Sequence, residues 1–120
     1  MEFPWQVTYA DGSGNHYTFS CASPDESAHF TYAPVTPERS SSGIYSGGQP
    51  AAGQLTGAQT QTLWNHLRRL HADTGHHAAH RAMGTGAVWW QTPTDERRFL
   101  IDSAAARSWR PFLDQLRAGS

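Results

Sequence analysis

The chain has 120 residues, nine basic and ten acidic side chains and a formal net charge of −1, which bounds it to one domain with a single modest core. All nine basic residues are arginines, so a lysine Schiff base, a P-loop lysine and a lysine general base are excluded. The charge balance gives no electrostatic footprint for nucleic acid at neutral pH, and no apolar run approaches the roughly 20 residues that span a bilayer. The opening MEFPWQVTYADG lacks the charged and apolar regions of a signal peptide, so the default expectation is a cytoplasmic protein, with secretion left open.

Trp5 to Ala10 alternates in the manner of a half-buried strand, with Trp5, Val7 and Tyr9 on one face. Asp11 to Asn15 (DGSGN) is turn chemistry, and His16 to Cys21 reads as the partner strand of a hairpin. Phe30 to Val35 reads as a third strand, which Pro34 confines to an edge or to an early end. Residues 34 to 55 are rich in glycine, serine and proline and predict one long irregular connection.

Thr56-Gly57-Ala58-Gln59 matches a capping box, and Leu63, Leu67 and Leu70 give a core-facing helical stripe running to about Ala72. Gly75 is the expected helix stop, and His76 to Met83 could add a further helical turn or two. Ala87 to Gln91 and Arg97 to Asp102 form a second hairpin, in which Trp89 or Trp90 must point away from the core. Ser103 to Arg107 reads as a short helical or irregular link. Ser108 is then the N-cap of a last helix carrying Trp109, Phe112, Leu113 and Leu116 inward, with Pro111 in its first turn. The fold class is therefore α+β: an antiparallel sheet of about five strands with two helices on one face, in the order β-β-β-loop-α-β-β-α.

Three groups of residues could carry chemistry. His66, His71, His76, His77 and His80 fall within fifteen positions, and imidazole is the commonest metal ligand. His66 and His71 lie about 140° apart on a helix and cannot share an ion. His76 and His80 could chelate zinc or copper if their segment is helical, with His77 or Asp73 as a third ligand. The plainer reading is a solvated helix end that becomes strongly positive with Arg68, Arg69 and Arg81 near pH 5–6.

Within the long connection, Ser42, Gly43, Ile44, Tyr45 and Ser46 set an apolar pair in a polar, glycine-rich frame. Such a loop can enter a partner's groove, with Tyr45 as an aromatic anchor, or it can fold back onto the sheet. The strand aromatics could stack bases, but they lack a basic track and read better as core filling. Cys21 stands alone, which excludes an intrachain disulfide and leaves a thiol that would need a histidine and an acid beside it to react.

The functional expectation is a non-catalytic domain that binds another protein, in one version an inhibitor presenting Ile44 and Tyr45 to a peptidase. No cofactor is expected. The alternative is a histidine-based metal-binding or pH-responsive module using His76, His77 and His80.

Overall fold

The computed structural model describes residues 2–34, 49–80 and 84–118. Three strands come first, β1 (Trp5–Ala10), β2 (His16–Cys21) and β3 (His29–Ala33), followed by β4 (Ala51–Gln54). Helix α1 (Gly57–Ala72) leads through a 3-10 turn at Thr74–His76 into β5 (His77–Ala78), β6 (Gly86–Gln91), β7 (Glu96–Ile101) and α2 (Ser103–Ala118). The sheet order is β4-β3-β2-β1-β6-β7-β5, and every neighbouring pair is antiparallel. The α+β class with helices on one face is as the sequence predicts.

Alternation fixes which face is covered. Trp5, Val7 and Tyr9 of β1 lie opposite Cys21, Phe19 and Tyr17 of β2, and all six are buried. Phe30, Tyr32, Val88, Trp90 and Ile101 extend the same face across the sheet. Leu63, Trp64, Leu67 and Leu70 of α1 pack on it, as do Ala105, Trp109, Leu113 and Leu116 of α2. Burial of this apolar area is the main stabilising term. Trp90 turns inward at 6% exposure, whereas Trp89 stays on the uncovered face at 36%, beneath the Arg98 guanidinium at 4.1 Å.

The indoles of Trp5, Trp64 and Trp90 meet edge to face at 5.3 and 4.9 Å between centroids. This geometry places a positive ring edge on a negative ring face. It suits rings whose N–H groups, like that of Trp109, are buried without an acceptor among the described residues.

Four expectations need correction. The sheet has seven strands rather than five. One extra strand is β4, inside the stretch read as an irregular loop: residues 51–54 pair with β3, and Leu55 N–H donates to the Ala28 carbonyl. Ala-Ala-Gly-Gln carries no strand signature, and its pairing comes from backbone groups, which side-chain patterns do not report.

The second extra strand is β5. The chain does not continue as helix after Ala72, because Asp73 is the C-cap and His77 pairs with Ile101 of β7. The helix therefore ends at Ala72, where the leucine stripe predicts, three residues before Gly75.

Finally, α2 begins at Ser103 instead of after Ser108. Asp102 caps it, with Oδ1 accepting the Ala105 N–H at 2.9 Å. Three successive alanines, the best helix formers, carry the first turns. Ser108 lies inside the helix and returns its hydroxyl to the Ala105 carbonyl at 2.6 Å. Pro111 is consequently an exposed interior residue, not a first-turn one.

Candidate functional site

A concavity of about 480 Å³ lies at the end of the sheet where β1 turns into β2, between that turn and α2. Its size falls within the roughly 300–1,000 Å³ of small-ligand sites. Tyr9, Tyr17 and Tyr32 line it from three adjacent strands, with ring centroids 6.1 Å apart for the first pair and 4.7 Å for the second. The alternation that buries these three rings also brings all three to the wall of the concavity.

The β1–β2 turn supplies the rim. Oδ1 of Asp11 accepts the backbone N–H groups of Ser13 and Asn15, and its Oδ2 accepts the Asn15 side-chain amide. The Asp11 carboxylate is therefore engaged in holding its own turn. Opposite this turn stands Gly84, at φ +83°, and a Cβ on Gly12 would stand 2.9 Å from its nitrogen. Two backbones meet there with no room for a side chain.

Helix α2 supplies the other wall. Arg107, Arg110, Asp114 and Arg117 recur at i, i+3, i+7 and i+10, one stripe beside the buried one. Arg117 is the most constrained: its guanidinium lies 4.1 Å from the centre of the Tyr32 ring, is hydrogen bonded to the Tyr17 hydroxyl, and lies 3.9 Å from Asp114. Burial pushes the Tyr17 phenol above its ordinary range, against the opposing pull of Arg117, so the hydroxyl keeps its proton at neutral pH. Arg107 and Arg110 are exposed and make no ion pair among the described residues. The cleft thus combines three guanidinium groups and three phenols with two carboxylates, one held by its turn and one beside Arg117.

Sequence reasoning missed this site. The stripe is legible only if α2 starts early enough to include Arg107, and placing the N-cap at Ser108 cut it in two. Extending the helical register back to Asp102 would have aligned the arginines.

The histidines expected to cluster are separated by the chain's path. His76 Nδ1 lies 2.7 Å from Oδ2 of Asp102, and its Nε2 is 3.9 Å from Asp73. His77 stacks on Phe99 at 4.8 Å, and its Nε2 is hydrogen bonded to the Leu70 carbonyl at 2.8 Å. His80 is exposed beyond β5. The four-residue spacing of His76 and His80 required a helix that a 3-10 turn and a strand replace. Among the described residues no group of three or more His, Cys, Asp or Glu could hold a metal ion.

His66 and His71 do flank the leucine stripe. His66 rests against Phe112 at 5.5 Å, and His71 against Phe99 at 5.3 Å. The Cys21 thiol is buried and donates to the carbonyls of Ser23 and Glu26 at 3.2 and 3.4 Å, tethering the β2–β3 turn. Ser42, Gly43, Ile44, Tyr45 and Ser46 lie outside the described residues. Among the described residues no helix is long and apolar enough to cross a membrane.

Compared with protein-family models, with curated proteins and with solved structures, the chain matches none of them.

Proposed function

We propose that this chain is a non-catalytic recognition domain that binds another protein through the cleft between the β1–β2 turn and α2. The observation that carries this reading is the α2 stripe, where Arg107 and Arg110 stand exposed beside an Arg117 already fixed by Tyr17 and Tyr32. Arginine and tyrosine are the side chains from which interface hot spots are most often built. A pre-fixed guanidinium also loses less side-chain freedom on binding. The groups that could react are held in other roles: Cys21 tethers a turn, and His76 clasps Asp102.

Capture from the source cell by the wild-type domain and by an Arg107→Glu, Arg110→Glu variant tests the reading. A partner retained by the former and lost by the latter supports it, with Arg68→Glu, Arg69→Glu as the control on α1. Equal retention by both domains rejects the cleft as the contact. The narrower version, an inhibitor using Ile44 and Tyr45, predicts in addition that Tyr45→Ala loses about 2 kcal/mol or more of affinity for the same partner.

A further inference from the structure

We propose that the group the cleft accepts is an oxyanion, a carboxylate or phosphoryl on an acidic peptide segment of the partner, held by Arg107 and Arg110 and backed by Arg117 and the tyrosine hydroxyls. This inference rests on the reading of the cleft as the recognition surface.

Guanidinium groups present N–H donors in a planar fork that matches carboxylate and phosphate, and charge-assisted bonds of this kind are roughly twice as strong as neutral ones. Three such forks line one concavity. The competing internal anions are engaged: Asp11 accepts three hydrogen bonds from its own turn, and Asp114 lies beside Arg117. Tyr17, kept protonated by burial, lines the same space.

Spacing favours a side chain over a flat polymer. Arg107 and Arg110 sit one helical turn apart, about 5 Å along the axis, and Arg117 two turns further on. The three charges therefore face a short segment with one or two anionic groups. A nucleic acid would instead follow an extended basic track on a basic domain, and this chain carries a net −1.

The test is calorimetric titration of the whole chain with inorganic phosphate, a glutamate-rich heptapeptide, its phosphoserine counterpart and a single-stranded oligonucleotide of equal charge. The expected result is saturable binding of at least one peptide, displaced by phosphate and weakened tenfold or more in Arg107→Glu, Arg110→Glu. The Arg107→Gln, Arg110→Gln variant, which removes charge without reversing it, guards against misfolding and should show the same loss with unchanged circular dichroism. Preference for one peptide over the other assigns carboxylate or phosphoryl as the source.

Absence of binding by every anionic probe overturns the inference, as does peptide binding that both variants leave intact or oligonucleotide binding tighter than either peptide. The two readings fail separately. A protein partner that depends on the cleft while ignoring phosphate competition leaves the recognition surface standing without the anion. Arginine-dependent anion binding with no cleft-dependent partner leaves the anion site standing without the protein.

Discussion

The ring of Tyr9 lies against the bare backbone of Gly86: a Cβ at that glycine would stand 2.5 Å from both Cε1 and the hydroxyl oxygen of Tyr9. The two residues sit on neighbouring strands and on the covered face of the sheet. Glycine is needed there for space. Because Tyr9 also lines the cleft, this contact links packing to recognition.

Gly86→Ala should therefore destabilise the fold by about 1–3 kcal/mol, the usual range for overpacking a core. It should also move Tyr9 and weaken ligand binding at the cleft. Denaturant unfolding of Gly86→Ala alone and together with Tyr9→Ala checks this. The double variant should lose less than the sum of the two single variants, because removing the ring removes the clash. Strict additivity would show that the contact is not the cause.

Trp109 is fully buried and meets Tyr9 edge to face at 4.7 Å, joining α2 to the sheet. Trp109→Ala should cost about 3–5 kcal/mol, a large part of the roughly 5–15 kcal/mol that holds a domain together. Loss of the cooperative thermal transition, or a steep fall in its midpoint, is the expected reading. A variant as stable as wild type would show that α2 docks by some other contact.

Thr56 and Gln59 form a reciprocal cap, Gln59 N–H to Thr56 Oγ1 at 3.1 Å and Thr56 N–H to Gln59 Oε1 at 2.8 Å. Thr56→Ala leaves the Gln59 amide at the start of α1 without its Oγ1 acceptor and should cost about 1 kcal/mol. Urea unfolding measures it. Thr56→Ser should retain most of the stability.

The histidines divide by sign. The hydrogen bond to Asp102 raises the His76 pKa above its ordinary 6.5, so its stabilisation is full below that value and fades as pH rises through the raised one. The Asp102 carboxyl is lowered, chiefly by the Ala105 N–H and then by His76, so its contribution fades as pH falls through the depressed value. The clasp is strongest between those two limits.

His66 and His71 behave oppositely. Burial, reinforced by Arg69 beside His66 and by Arg97 and His77 beside His71, lowers their pKa values. Unfolded chains then bind more protons, and stability falls as pH drops below 6.5. Unfolding midpoints compared at about pH 8 and about pH 6 should show His76→Gln losing more on acidification than wild type, and His66→Gln losing less. Identical profiles for all three proteins would contradict these assignments.

The sequence carried the fold where side-chain periodicity carried it. The alternation of Trp5, Val7 and Tyr9 and the capping box at Thr56 were legible because burial and capping act through residue type. Strands β4 and β5 were not, since Ala51–Gln54 and His77–Ala78 enter the sheet through backbone groups that any residue owns. The start of α2 turned on two competing caps, Asp102 and Ser108, and Asp102 prevailed because Ala104 to Ala106 favour helix ahead of Pro111. That one choice hid the cleft, whose arginine stripe needs the early start.

Arginine side-chain Nε–Hε resonances offer the most direct measurement. The chain has nine arginines and no lysine, so the spectrum contains one small, assignable set of cationic probes. On titration with inorganic phosphate, the signals of Arg107, Arg110 and Arg117 should shift together and saturate, while those of Arg68, Arg97 and Arg98 stay in place. Saturable shifts confined to Arg68, Arg97 and Arg98, or no shift at Arg107 and Arg110, would contradict it.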